Sequence, residues 1–207
     1  MSTRIAKRQP SMRKEPRQAR SRATVEAVIE AGARILSEQG WAGFTTNKVA
    51  DAAGVSIGSL YQYFPDKVSL VGAIRRRHLD DSLAAVRNAL AERQPLAEFV
   101  STLVSNIIDA HSIHPGLHRI LLDEAPGLEA YRDQNSAIEA QYLSLYTEAA
   151  ATHRSHDEEV PSETVGLLIS DAIDGVIHNA ARRGMLREPR IRDELVRMIR
   201  LYLENGG

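Results

Sequence analysis

The sequence contains no cysteine, so neither a disulfide framework nor a thiolate metal cluster is open to it. It has no apolar run long enough to span a bilayer and no secretory leader pattern near Met1, which predicts a cytoplasmic protein without a membrane partner. Alternating β-branched stretches, internal repeats and low-complexity tracts are also missing, and this leaves helices as the available regular structure. Net charge is nearly absent, at −1 overall. That balance hides an asymmetry: residues 1–79 carry 14 Lys/Arg against 6 Asp/Glu, and residues 80–207 carry 12 against 21. A basic half beside an acidic one is what a phosphate-facing module joined to a non-nucleic-acid module would show, although a basic face alone is often only solvated surface. What the chain does have is 43% hydrophobic content over 207 residues, enough to bury a core in one domain or two modest ones.

The most informative stretch is Thr45 to Lys67, TTNKVADAAGVSIGSLYQYFPDK. Thr45 or Thr46 is a suitable N-cap, Val49, Ala50 and Ala53 recur at helical spacing, and Gly54 supplies the positive φ that ends a helix abruptly. Ser56 can cap a second helix that turns Leu60 and Phe64 inward and Ile57, Ser59, Tyr61, Gln62 and Tyr63 elsewhere, with Pro65 as its stop. Two short helices around a forced turn are a helix-turn-helix signature. Gly54-Val55-Ser56-Ile57-Gly58 also satisfies the G-x-S-x-G pattern of a hydrolase nucleophile elbow, with Ser56 as nucleophile. An elbow needs a buried strand before the serine, however, and VADAA reads as helix, so no enzyme, no catalytic residue and no cofactor is expected.

The run AGVSIGSLYQYFPDKVSL, preceded by GWAGFTTNKVADA, resembles the DNA-binding domain of the TetR/AcrR family of bacterial transcriptional regulators. The pattern is continuous from about Ala23 to Leu70. The resemblance implies an all-α protein in which an N-terminal three-helix DNA-binding domain is followed by a C-terminal helical bundle for ligand binding and dimerisation. It places Thr45, Thr46, Ser56, Ile57, Gly58, Ser59, Tyr61, Gln62, Tyr63 and Lys67 on DNA-facing positions. Gln62 and Ser59 have the chemistry to read base edges, while Lys67 and the tyrosine hydroxyls suit phosphates.

Around that stretch the chain divides into a disordered basic arm (1–20), the DNA-binding domain (21–68) and a regulatory and dimerisation domain (69–207). The arm, with Arg22 just beyond it, is either a floppy tail or a minor-groove contact. A scaffold helix from Ser21 to Gln39 stops at Gly40, and Trp41 and Phe44 follow as core plugs. Asp66 caps a helix that runs without interruption to about Ala91. Further helices are expected from Leu96 to His111, Pro115 to Asp123, Leu128 to about His153, Ser162 to Arg183 and Arg190 to Asn205.

The last two of these helices carry apolar stripes. Leu168, Ile169, Ile173, Ile177, Leu195, Met198 and Tyr202 are either intramolecular core or, as the resemblance implies, a four-helix homodimer interface. Phe99, Leu103, Ile107, Leu121, Tyr131, Asn135, Tyr142, Tyr146, Asp174 and His178 could line a largely apolar effector pocket with a few polar anchors. His111, His114 and His118 have spacings a metal site could use, but Pro115-Gly116 interrupts them and no metal is expected. The sequence thus reads as a ligand-responsive repressor that binds palindromic double-stranded operator DNA as a homodimer and is released by a small apolar or aromatic molecule. The alternatives are a helical partner-binding module without operator recognition and, further off, the Ser56 hydrolase.

Overall fold

A computed structural model describes residues 18–121, 137–154 and 160–205. Most of the basic arm lies outside the described residues, as do Tyr131 and Asn135. Among the described residues there are nine helices and no strand: α1 (Ala19–Gly43), α2 (Thr46–Ala52), α3 (Ile57–Tyr63), α4 (Lys67–Ala91), α5 (Leu96–Ser112), α6 (Leu117–Arg119), α7 (Ala137–His153), α8 (Ser162–Arg182) and α9 (Pro189–Glu204). The all-α expectation is met. No helix in the described residues is long and apolar enough to cross a membrane.

Two compact units share the described residues, one formed by residues 18–77 with Ile120 and Leu121, and the other by residues 78–119, 137–154 and 160–205. The boundary expected at residue 68 falls inside α4, whose residues through Arg77 belong to the first unit.

In the first unit, α1 buries Val25, Val28, Ile29, Ile35 and Leu36 at i, i+3, i+4 spacing. Gly32 lies on the same face, where an added Cβ would stand 2.8 Å from the Ile74 Cδ1 of α4. Gly40 breaks α1 as the sequence predicts: its φ of 68° and ψ of −178° interrupt the helix before a last turn from Trp41 to Gly43. Phe44 is buried at 1% exposure, whereas Trp41 is only half-buried and stacks on it at 6.5 Å between centroids, 18° from parallel. Only one of the two expected plugs is therefore core.

In the second unit, α7 packs along α8 and α5 against α9. The α7–α8 approach is close because Gly166 has no side chain: a Cβ there would sit 2.6 Å from the Thr147 backbone nitrogen. Arg192 of α9 reaches α5, where Nη2 donates to Ser101 Oγ at 2.9 Å and Nε to Ser105 Oγ at 3.1 Å. The core gathers Phe99, Leu103, Ile107, Tyr146, Ile169, Ile173, Ile177, Leu195, Ile199 and Leu203.

That core takes in several of the residues for which core and dimer interface were the two alternatives. Ile169, Ile173, Ile177 and Leu195 are buried inside their own chain, and half-buried Tyr202 packs against the same core. The apolar side chains of α8 and α9 left outside are Leu167, Leu168, Met198 and Leu201, each 41–49% exposed. α8 is apolar on more than one face, and the stripe of Val165, Ile169, Ile173 and Ile177 is the one used internally. The helix expected from Pro115 to Asp123 starts two residues later, at Leu117, after the turn at Pro115-Gly116, and its expected end lies outside the described residues.

Candidate functional site

The helix-turn-helix is built by caps. Thr45 Oγ1 accepts the Lys48 backbone N–H at 3.3 Å and starts α2. At its end, Gly54 adopts φ +67°, which lets Val55 N–H reach back to Ala50 O at 3.0 Å. Ser56 then accepts the Ser59 N–H at 3.1 Å and starts α3. With its phase fixed, α3 turns Leu60, Tyr63 and the following Phe64 inward and Ile57, Gly58, Tyr61 and Gln62 outward.

Four residues expected to face DNA behave differently from the rest. Tyr63 is 8% exposed, because three residues after Leu60 it returns to the buried face, so most of its side chain is core. The hydroxyls of Ser59 and Ser56 lie 2.8 Å apart, which keeps both close to the cap. Lys67 Nζ donates to the Trp41 backbone oxygen at 2.9 Å and sits 3.6 Å from the centre of the Trp41 ring, so the ammonium assigned to phosphate is engaged inside the unit. Burial holds its pKa below the ordinary lysine value.

Between the helices, Thr46 Oγ1 and Tyr61 Oη are 3.1 Å apart, which braces α2 against α3 at the exposed surface. Gly58 faces open space: an added Cβ would meet only Ser56 Oγ, at 3.9 Å. Arg22 is exposed on α1. Ser56 has serine partners rather than a histidine, and no strand precedes it, so the nucleophile-elbow geometry is absent from this stretch.

The second unit holds a buried polar seam. The Tyr142 hydroxyl donates to Asp174 Oδ1 at 3.2 Å and lies 3.2 Å from the hydroxyl of Tyr146, which is fully buried. Burial raises both tyrosine pKa values, Tyr142 well above the ordinary range. It also raises Asp174 to about 6, with Tyr142's hydrogen bond pulling the other way and the charge of Asp171 adding to the rise.

One turn further along α8, His178 Nε2 is 3.3 Å from His111 Nε2. His111 Nδ1 lies 2.9 Å from Ile107 O, which can only accept, so Nδ1 carries the proton and Nε2 accepts from His178. Burial and then the neighbouring His111 push His178 down to about 3. His78 meets the His111 ring edge-on at 4.9 Å. Of the expected pocket residues, Tyr142, Tyr146, Asp174 and His178 come together in this seam. Phe99, Leu103 and Ile107 lie in the surrounding core, and buried Leu121 belongs to the first unit. His78 and His111 were missed as members, and the i, i+4 pairing of Tyr142 with Tyr146 and Asp174 with His178 was the available signal. The described residues contain no group of three or more His, Cys, Asp or Glu placed to hold a metal ion.

Comparison with known proteins gives two family matches. The family described as bacterial regulatory proteins, tetR family, matches residues 28–74, and the one described as tetracyclin repressor-like, C-terminal domain, matches residues 95–203. The nucleoid occlusion factor SlmA of Glaesserella parasuis is 33% identical over 89 residues, 43% of this chain and 44% of that protein. The HTH-type transcriptional repressor KstR2 of Rhodococcus jostii is 35% identical over 89 residues, covering 41% and 44%. The chain thus spans less than half the length of these curated relatives. A solved SmeT–triclosan complex superposes with a TM-score of 0.68 at 17% identity, covering 89% of this chain and 93% of that one.

Proposed function

This chain belongs to the TetR family of bacterial regulatory proteins, and on that premise we propose that it is a repressor that binds palindromic operator DNA as a homodimer and releases it when a small molecule occupies the second unit. The observation that carries the reading is the outward strip of α3, where Ile57, Gly58, Tyr61 and Gln62 face solvent on a helix whose start and phase are set by Gly54 and Ser56.

Gln62 is the base reader, with an amide suited to paired hydrogen bonds on an adenine edge. Tyr61, braced by Thr46, meets the backbone, and Ile57 offers an apolar contact to a thymine methyl. Thr45, Ser56 and Ser59 flank the strip, and Arg22 adds a cation from α1. The dimer forms through the exposed face of α8 and α9, at Leu167, Leu168, Met198 and Leu201, and spaces the two heads about 34–36 Å apart for successive major grooves. The Tyr142–Tyr146–Asp174 seam and the adjoining His178 anchor the effector, whose remaining surface is apolar or aromatic. Support for the two halves of this reading comes from KstR2, named a repressor, and from SmeT, solved with triclosan.

Selection from a random DNA pool tests the proposal. Enrichment of one palindrome whose half-sites lie one helical turn apart is the expected result, and a pool that stays random would overturn it.

A further inference from the structure

We propose that Lys67 is a positioning residue that staples the entry of the helix-turn-helix to its exit, and not a phosphate contact. This rests on the DNA-binding reading above. Lys67 is the first residue of α4 and follows the recognition helix by four positions. Its backbone is fixed by a reciprocal cap: Ser69 N–H donates to Asp66 Oδ1 at 2.7 Å, and Asp66 N–H to Ser69 Oγ at 3.2 Å.

From that anchored position the ammonium crosses to the chain segment that precedes α2. It donates to Trp41 O at 2.9 Å, lies 3.6 Å from the Trp41 ring centre and 5.5 Å from that of Phe44, itself in the core. Trp41 and Lys67 are 26 residues apart, and the interval contains both α2 and α3. One cation therefore closes the loop that presents the reading surface, through a charge-assisted hydrogen bond and a cation–π contact at once.

A second lysine works on the same corner. Lys48 Nζ, from α2, donates to Gln39 Oε1 at 2.8 Å and to Gly43 O at 3.0 Å. Two ammoniums thus bracket Gly40, where α1 breaks and leaves carbonyl oxygens without helical partners. Lys48 is exposed and Lys67 is half-buried, so Lys67 carries the larger share.

The chain has a single tryptophan, which makes Trp41 fluorescence a site-specific reporter of this contact. The test compares wild type, Lys67→Met, which keeps the aliphatic stem, and Lys67→Arg, which keeps the cation, each measured for Trp41 emission and for operator affinity across a salt series. For Lys67→Met the expected result is altered emission and affinity weakened by roughly three- to tenfold, with an unchanged dependence of log K on log salt. Lys67→Arg restores both. If the slope instead falls by about 0.9, the loss of one phosphate contact, Lys67 touches DNA and the proposal is wrong. Unaltered Trp41 emission in Lys67→Met also overturns it. Should wild type select no DNA sequence at all, the function proposed above fails, and the emission of the two variants still decides whether the staple exists. Should Lys67→Met fail to fold, Trp41→Phe, which keeps the backbone oxygen and a smaller ring, must show the same weakened affinity with an unchanged slope, or the proposal falls.

Discussion

Asp174 and His178, one helical turn apart on α8, titrate in opposite senses. The folded chain holds a proton on Asp174 up to about pH 6, whereas the unfolded carboxyl loses it near 3.8, so this group's contribution to stability falls as pH rises between those values. His178 refuses a proton down to about pH 3 that the unfolded imidazole accepts near 6.5, so its contribution is lost as pH falls through that window. Between about pH 4 and 6 the two slopes oppose each other. Asp174→Asn removes one of them: urea denaturation should show stability rising with pH across that range, and at pH 7 a gain on the order of 2–3 kcal/mol over wild type. His178→Asn should show the reverse slope, and a pH profile unmoved by either change would dissolve the argument. At Gly58 the expectation concerns space. Alanine meets nothing closer than 3.9 Å, so Gly58→Ala should raise helix stability by about 0.5–1 kcal/mol while weakening operator binding, because the added methyl points where the DNA backbone or bases approach. A variant that binds as well as wild type would show that α3 stays further from DNA. At this scale the sequence was legible wherever chemistry is local: Thr45, Gly54 and Ser56 do what their types and positions predict. Lys67 was not, because its partner lies 26 residues away and nothing local announces it.

Among the elements, α8 shows why periodicity finds a helix more readily than it finds its partner. Val165, Ile169, Ile173 and Ile177 form the stripe that the chain buries against itself, while Leu167 and Leu168 stay outside, and the sequence alone does not say which face meets which neighbour. The distinction predicts two outcomes. Ile173→Asp places an unpaired carboxylate in the core of the second unit and should abolish its cooperative unfolding. A double change of Leu168 and Met198 to Asp should leave the helical circular dichroism and melting temperature near wild type while sedimentation shows monomers. If sedimentation still shows dimers, the interface lies elsewhere. Gly166→Ala is a sharper probe of packing, because the obstacle 2.6 Å away is the Thr147 backbone and cannot rotate aside. Helix ends were read well from caps and breakers, as at α4, α5, α8 and α9, each within a residue or so of expectation. Tyr63 is less exposed than its place in the sequence suggests, since three residues beyond a buried Leu60 the short helix brings it back toward the core.

At the scale of the whole molecule, the uneven charge of the two halves and the continuous α4 frame a linkage expectation. If an effector prefers the conformation that DNA does not, operator DNA must weaken effector binding by the same factor, with couplings of about 1–3 kcal/mol typical. Calorimetric titration of a compound that stabilises the protein, with and without operator, measures both sides, and equal affinities would remove the coupling. The sequence showed that two bodies exist, through the resemblance and the charge split, but their contents depend on contacts far apart in the chain. The bonds from Arg192 to Ser101 and Ser105 span 91 and 87 residues. During synthesis that separation becomes time. At about 5–20 residues per second, a ribosome needs roughly 5–18 s after Ser101 before it adds Arg192, whereas helices form in about a microsecond. The caps of α2, α3 and α4 close over three or four residues and need no such wait. The caps of the helix-turn-helix can therefore close seconds before α9 exists to cover the apolar face of α5.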